Sequence, residues 1–104
     1  ALRSTLAEQG VAVREVTGKG LVRAARLAAA LRADRVAIGH SWLFIANAYA
    51  WAATRGGGPP LVTSARNCKR SGAPLDWLNR RAFAASAAVI VNSAQVAHYI
   101  TDVY

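Results

Sequence analysis

Three short apolar runs along the chain stop abruptly at a pair of polar residues, and a helical pattern follows each pair. The runs and their polar pairs are Val36–Gly39 before His40-Ser41, Leu61–Ala65 before Arg66-Asn67, and Ala88–Val91 before Asn92-Ser93. Strands that alternate with helices predict a parallel sheet with right-handed crossovers. Because the carboxyl ends of parallel strands share one edge, where such folds bind ligands, we expect the three pairs to lie together.

The rest of the pattern completes an α/β fold. Val11–Val16 alternates apolar and polar residues, which predicts a fourth strand. Helices are predicted over residues 2–9, 21–32, 42–55 and 75–86, and a last helix opens at Asn92, with Gln95 placed to complete a capping box. We therefore expect a Rossmann-like parallel sheet with helices on both faces. The pattern begins with a helix instead of a central strand, which predicts a domain truncated at its N-terminus.

Composition limits the size and the partners of the domain. The chain has 104 residues, of which 54% are hydrophobic, enough for one small α/β domain. The formal net charge of +8 leaves three interpretations open: an unspecialised basic surface, attraction to anionic lipid headgroups, or binding of phosphates or nucleic acid. The single cysteine, Cys68, fits a reducing cytoplasm. The longest apolar stretch, Trp42–Ala53, is shorter than the roughly 20 residues that span a bilayer.

His40 and Arg66 are the candidate catalytic residues, since each directly follows a predicted strand. A histidine at the ligand edge can hydrogen-bond a hydroxyl or carry a proton, although a lone histidine is more often structural. An arginine can hold a phosphate or a carboxylate through two parallel hydrogen bonds. The competing interpretation of Arg66 is a surface ion pair with an acid such as Asp76.

Five further polar residues are candidate substrate contacts: Ser41, Asn47, Asn67, Asn92 and Ser93. Asn47 interrupts an apolar helix, so its amide must either be hydrogen-bonded or face the cleft. Helix capping alone would explain Asn92 and Ser93, and a helix N-terminus also attracts anions. The sequence has no phosphate-binding glycine loop, no nucleophile elbow and no metal-ligand spacing, so it predicts neither a metal site nor a self-sufficient catalytic centre.

From about residue 20 to residue 104, the order of these motifs resembles the N-terminal domain of family 4 glycosyltransferases. The matching stretches are Leu27–Leu31 with Asp34, Val36–His40, Asn47, Leu61–Asn67 and Arg81–Ser93. The resemblance implies one half of a GT-B architecture, in which this domain binds the acceptor. A second Rossmann-like domain, absent from this chain, would bind most of the nucleotide-sugar donor. The resemblance also implies a retaining, hexosyltransferase-type enzyme without a metal or other cofactor, and inactivity of this chain on its own.

The chain departs from the family pattern at Arg66, which stands near the position where many members carry a cleft histidine. The role of that histidine therefore does not transfer to Arg66. The glycine-rich loop that follows the family's first strand is also missing.

The resemblance also suggests partners and a location. The expected partners are a nucleotide-sugar and a sugar or lipid-linked acceptor, in bacterial envelope or polysaccharide synthesis on the cytoplasmic side of the membrane. Contact with an anionic membrane surface would use a positive face of Arg23, Arg26, Lys69, Arg70, Arg80 and Arg81.

Two other classes compete with the transferase. A non-enzymatic basic α/β module that binds nucleic acid or another polyanion is disfavoured, because aromatic residues do not interleave with the arginines along the sequence as a base-stacking platform requires. A response-regulator-like signalling domain needs acidic residues at early strand ends, where this chain has histidine, arginine and asparagine.

Overall fold

The computed structural model describes residues 2–68 and 72–104, in which two helices are followed by alternating strands and helices. The elements in chain order are α1 (Leu2–Glu8), α2 (Gly20–Ala33), β1 (Gly39–Trp42), α3 (Phe44–Thr54), β2 (Leu61–Ala65), α4 (Leu75–Ala85), β3 (Ala88–Val91) and α5 (Ala94–Val103). The predicted Rossmann-like α/β class with a parallel sheet is confirmed. Within the described residues, no helix has the length and apolar character needed to cross a membrane.

The sheet contains β1, β2 and β3 side by side in that order, and both neighbouring pairs are parallel. Side chains alternate between the two faces of a strand. Along β1, Ser41 is buried and bonds to α3, whereas His40 and Trp42 point to the opposite face and are exposed. We call that opposite face, which also carries the half-exposed side chain of Ile90, the outer face of the sheet.

Two of the four predicted strands, β2 and β3, have the predicted bounds, but β1 begins at Gly39, where the prediction placed its end. The reason lies on both sides of β1. The backbone N–H of Val36 still donates to the carbonyl of Leu31, so this segment closes α2 instead of pairing with β2. Pro60, just before β2, has no N–H for the ladder, and pairing starts one residue later with Leu61 opposite Gly39.

The strand predicted over residues 11–16 is wrong, because residues 11–17 have no regular secondary structure. The alternating pattern is present, but Val11 and Val13 are 46% and 37% exposed, so no strand or helix covers their apolar side. The segment is instead tied to the end of α2 by Arg14, whose Nε donates to Asp34 Oδ2 at 2.9 Å. Alternation therefore identified a potential strand that has no partner among the described residues.

The predicted helices agree with α1 to α5 to within about two residues at each end, but Trp42 belongs to β1 instead of α3 and the capping of α5 differs. The cap is Ser93 and not Asn92: the Ser93 hydroxyl accepts a hydrogen bond from the backbone N–H of Val96 at 3.2 Å. Ser93 has the extended backbone that a capping residue needs. The side chain of Asn92 is thereby left for a different contact, described below.

Candidate functional site at the carboxyl edge of the sheet

His40 lies inside β1, so the expectation that it directly follows the strand is wrong. Its imidazole Nε2 is 2.7 Å from the hydroxyl of Ser64 on β2. Its ring also packs against Trp42, two residues along the same face, with ring centroids 4.4 Å apart and planes tilted by 31°. These two contacts fix the orientation of the imidazole on the outer face.

Arg66 directly follows β2, and its side chain extends to the Trp42 ring against which His40 packs. Its guanidinium carbon is 5.8 Å from the centroid of the Trp42 ring, within the range of a cation–π contact. The side-chain amide of Asn92, after β3, donates to the backbone carbonyl of Arg66 at 3.4 Å. Residues from three separate strand ends are therefore linked through Trp42 and Arg66. We call this region, formed by the ends of β1, β2 and β3, the carboxyl edge.

Trp42 joins the carboxyl edge, although the sequence assigned it to the following helix. The sequence predicts that the polar pair His40-Ser41 follows the strand and that Trp42 opens α3. The alternation of β1 continues through it: His40 and Trp42 are exposed while Ser41 between them is buried. Asn67, the neighbour of Arg66, is exposed at this edge, where the sequence placed it.

A group of buried polar side chains lies directly beneath the edge. Asn47 has 0% exposure; its Oδ1 accepts from the Ser41 hydroxyl at 2.5 Å, and its Nδ2 donates to the Ser64 carbonyl and to Asn79 Oδ1. Asn79, also 0% exposed, donates to the carbonyls of Phe44 and Leu75 at 3.0 Å each. We call Ser41, Asn47, Asn79 and the Ser64 carbonyl the amide cluster.

Of the two alternatives for Asn47, internal hydrogen bonding is the one the structure shows. Among the described residues, no buried side-chain nitrogen or oxygen lacks a partner, so the amide cluster is fully satisfied. It joins β1, β2, α3 and α4 at one point. Ser64 connects the amide cluster to the exposed edge, because its carbonyl accepts from Asn47 while its hydroxyl is hydrogen-bonded to His40.

Asn79 is not among the predicted site residues, although it has the same sequence signal as Asn47, a polar residue on an apolar helix stripe. It lies four residues after Leu75 and three before Ala82, on the stripe of α4 that faces the core. A polar side chain at such a position needs an internal partner. A search for polar residues on the apolar stripe of each predicted helix identifies both Asn47 and Asn79.

The turn between β1 and α3 exposes apolar side chains beside these polar contacts. Trp42, Leu43 and Ile45 are 50%, 64% and 61% exposed, and we call these three residues the apolar rim. Leu43 has φ 103° and ψ 151°, a backbone region that almost only glycine populates. An apolar residue held in a strained conformation and left in solvent does not serve the core, which makes the rim a candidate binding surface.

An open cavity of about 790 Å³ begins at the apolar rim and runs between α2, α3 and β1. Its walls are mostly apolar and include Leu27 and Leu31 of α2 and Ala46 and Ala50 of α3. His40 and Trp42 are also among the lining residues, so the cavity and the carboxyl edge share side chains. A volume of this size falls in the range of small-molecule sites.

Arginines and aromatic rings do pair in the folded chain, contrary to the expectation from the sequence. Besides Arg66 over Trp42, the described residues form cation–π pairs of Arg23 over Tyr49, Arg55 over Trp51 and Arg81 over Trp77, with guanidinium-to-ring distances of 4.9–5.8 Å. In two pairs the partners are four residues apart: Trp51 of α3 with Arg55, the residue that caps its end, and Trp77 with Arg81 in α4. This spacing places both side chains on the same helix face. Trp51 and Trp77 also meet edge to face at 5.9 Å.

The predicted positive face is divided among several local contacts. Arg23 donates to the Gly18 carbonyl, Arg26 to the Thr17 hydroxyl and Arg80 to the Val103 carbonyl. Arg81 lies over Trp77, which is 51% exposed. Lys69 and Arg70 lie outside the described residues. In the described part of the chain, no group of three or more His, Cys, Asp or Glu side chains is placed to hold a metal ion.

Comparison with known families gives one match. The model of the family described as Glycosyltransferase Family 4 matches residues 3–104, which include the whole carboxyl edge, the amide cluster and the apolar rim. No curated protein and no solved structure shows significant similarity to the chain.

Proposed function

The chain belongs to glycosyltransferase family 4, and we propose that its carboxyl edge binds the acceptor of a retaining sugar transfer. In this proposal the chain is the acceptor half of a GT-B enzyme. A second Rossmann-like domain binds most of the nucleotide-sugar, and no metal or other cofactor takes part. The observation that carries the proposal is the convergence of His40, Trp42, Arg66 and Asn92 from three strand ends onto one exposed surface.

Each of these side chains offers something that sugar transfer needs. The exposed indole of Trp42 is a flat apolar surface on which the C–H face of a sugar ring can pack. Arg66 places a permanent positive charge beside that surface, where it stabilises phosphate as negative charge develops on the leaving group. His40, oriented by Ser64 and Trp42, is placed to hydrogen-bond an acceptor hydroxyl.

The other predicted contacts divide into two layers under this proposal. Asn67, Asn92 and Ser93 are exposed where β2 and β3 end, and in this proposal they contact the acceptor. Ser41 and Asn47 are buried, so their contribution is to hold β1 and β2 in place beneath the acceptor. A site supported by a rigid buried layer keeps its geometry through the reaction.

The test is Arg66→Ala in the full-length enzyme, with Arg66→Lys as the conservative variant and Arg32→Ala, an exposed arginine in the last turn of α2, as the matched control. Arg66→Ala should lower kcat on the order of 10–1000-fold, more than it raises the Michaelis constant. Arg66→Lys should recover only part of the loss, because lysine cannot make a bidentate contact. Wild-type kcat in Arg66→Ala, together with lowered thermal stability, would assign Arg66 a structural role and refute the proposal.

We further propose that the enzyme works in envelope or polysaccharide synthesis at the cytoplasmic face of an anionic membrane. The support is the surface of Trp51, Arg55, Trp77 and Arg81, since interfacial tryptophans with arginines suit a headgroup layer. In vesicle sedimentation, binding should rise with the anionic lipid fraction, and Arg55→Gln or Arg81→Gln should each weaken it about fivefold, against no change for Arg32→Gln. Equal binding to neutral and anionic vesicles would contradict this partner.

A further inference from the structure

The buried hydroxyl of Ser64 meets the carboxyl edge at one atom, the Nε2 nitrogen of His40. Ser64 is 2% exposed, and its Oγ lies 2.7 Å from that nitrogen. Among the described residues, Oγ has no other hydrogen-bond partner. The main chain of Ser64 is fixed as well, because its carbonyl accepts from the buried amide of Asn47 at 3.2 Å. A serine hydroxyl has one hydrogen to donate, and a buried donor without an acceptor is costly.

This requirement decides which nitrogen of His40 carries a hydrogen. A neutral imidazole has one N–H and one nitrogen lone pair. If Nε2 carried the hydrogen, it would donate to Oγ, and the Ser64 hydrogen would have no acceptor among the described residues. If Nε2 carries the lone pair, it accepts the Ser64 hydrogen, and the imidazole N–H lies at Nδ1. Avoiding one unsatisfied buried donor favours this second tautomer about 5–150-fold.

The other ring nitrogen, Nδ1, is the one left for a ligand at the carboxyl edge. His40 is exposed, and its Nδ1 has no hydrogen-bond partner in the described part of the chain. The ring cannot turn over to present Nε2 instead without breaking the bond to Ser64. His40 therefore presents an N–H group at the edge. The nearby guanidinium of Arg66 is likewise a hydrogen-bond donor without a lone pair.

We propose that Ser64 is a positioning residue, which holds His40 in the Nδ1-protonated tautomer so that His40 donates a hydrogen bond to an oxygen of the acceptor. The inference rests on the proposed function, because it assigns the chemistry of His40 at the same edge. Two roles were open to this histidine, a hydrogen-bonding partner and a proton carrier. In this tautomer the single lone pair of the imidazole is occupied by Ser64, so His40 takes no proton from the acceptor.

The first test observes the tautomer directly and needs no ligand. In the full-length protein labelled with ¹⁵N-histidine, the nitrogen chemical shifts distinguish a protonated ring nitrogen from an unprotonated one, and His40→Asn identifies the signals by their loss. At neutral pH, Nδ1 should be protonated and Nε2 unprotonated. Ser64→Ala should give a mixture of the two tautomers. A wild-type hydrogen on Nε2, or unchanged signals in Ser64→Ala, would overturn the inference.

Thr63→Val is the matched control for Ser64→Ala. It removes a buried hydroxyl from the neighbouring residue of β2, on the opposite face of the strand, where Thr63 is bonded to the hydroxyl of Ser86 at 2.9 Å. Both variants lose one buried hydroxyl, so both should lose some thermal stability. Only Ser64→Ala should change the His40 signals. An equal change in both would assign Ser64 a merely structural role and would overturn the inference.

The second test separates the two ring nitrogens by substitution at His40. Asparagine places its amide nitrogen next to Cγ, as Nδ1 is placed, whereas glutamine places it farther out, near the position of Nε2. The probe is glucose 1-phosphate, which offers both sugar hydroxyls and a phosphate. His40→Asn should bind it within about twofold of the wild type, and His40→Gln and Ser64→Ala about 2–10-fold more weakly. Wild-type affinity in His40→Gln with weakened binding in His40→Asn would contradict the assignment.

Turnover of the full-length enzyme distinguishes failure of this inference from failure of the proposed function. Loss of a general base costs about 10²–10⁴-fold in rate, whereas His40→Asn keeps a donor and should retain kcat within about tenfold. A loss of 100-fold or more would identify His40 as a proton carrier and overturn the inference, while the acceptor site itself would stand. Turnover independent of Arg66 would refute the proposed function and, with it, the contact between His40 and the acceptor, whatever the tautomer.

Discussion

The N-terminal third of the chain and the remainder are held together in different ways. Among the described side chains of residues 4–38, only Ala24 is buried. Exposed side-chain hydrogen bonds, such as those of Arg14 with Asp34 and of Arg26 with Thr17, hold this region. From Gly39 onward, three paired strands cover a fully satisfied amide cluster between two helices. The first region depends on exchangeable surface contacts and the second on buried groups that have no alternative partner.

This difference determines how each region should respond to change. Exposed ion pairs and hydrogen bonds compete with water and contribute little net free energy. A buried amide contributes modestly while it is paired, but the loss of its partner leaves polar groups unsatisfied at a cost of about 1–3 kcal/mol each. Substitutions in the amide cluster should therefore have the largest effects on stability, and substitutions in the N-terminal third the smallest.

The strongest way to break the comparison is Asn47→Leu, which keeps the branching and the number of side-chain heavy atoms but removes the amide; its bulkier methyl groups add an overpacking cost at this buried position. The Ser41 hydroxyl, the Ser64 carbonyl and Asn79 Oδ1 each lose a partner, so the free energy of unfolding should fall by about 3 kcal/mol or more. Urea titration followed by circular dichroism measures this. The control is Asn92→Leu, which changes an exposed amide with a single long hydrogen bond and should cost less than about 0.5 kcal/mol. An equal decrease in the free energy of unfolding in both variants would show that the amide cluster contributes no more to stability than an exposed amide.

A smaller effect is expected at Leu43, where strain lies within the tightly bonded region. Leu43→Gly relieves the positive φ of 103°, although glycine also adds freedom to the unfolded chain. The net result should be about 1 kcal/mol greater stability than Leu43→Ala, which shortens the side chain but keeps the strain. If the two variants unfold at the same urea concentration, the turn between β1 and α3 stores no strain.

The smallest effect is expected from the contact between Arg14 and Asp34. The hydrogen bond from Arg14 lowers the pKa of the Asp34 carboxyl below its ordinary value of 3.8. A lowered folded-state pKa means that the contact stabilises the fold above about pH 3.8 and that this contribution is lost as the pH falls through the lower folded value. Thermal unfolding between pH 7 and pH 3 should therefore show a slightly shallower acid loss in Arg14→Gln than in the wild type. An identical acid profile would mean that the contact contributes nothing in solution.

The sequence predicted best where local pattern and burial agree. β2 and β3 were located correctly because apolar residues bounded by turns and polar pairs have few alternatives in a parallel sheet. Residues 11–16 show the limit of the method, since alternation reports what a segment is able to form and a strand needs a neighbour to pair with. β1 was displaced because the prolines before β2, far away in sequence, set where pairing starts.

The candidate site was predicted in outline but not in its contacts. Three strand ends were expected to meet, and they do, through Trp42 and Arg66. The contribution of Trp42 and the burial of Asn47 against Asn79 depend on which way each side chain points once the strands are in register. That direction follows from tertiary packing, which no single stretch of sequence contains. The functional roles of His40, Arg66 and their neighbours stay predictions.

The alternation along β1 has a consequence for how such a domain can evolve. Adjacent residues of β1 have separate roles: Ser41 is buried and hydrogen-bonded to Asn47, while His40 and Trp42 on either side of it are exposed. Mutations at the outward positions can alter what is bound without disturbing the hydrogen bonds that hold the strand. If the edge binds an acceptor as proposed, its preference can therefore drift, or be redesigned by randomising only positions 40, 42, 43 and 45, while the amide cluster underneath stays unchanged.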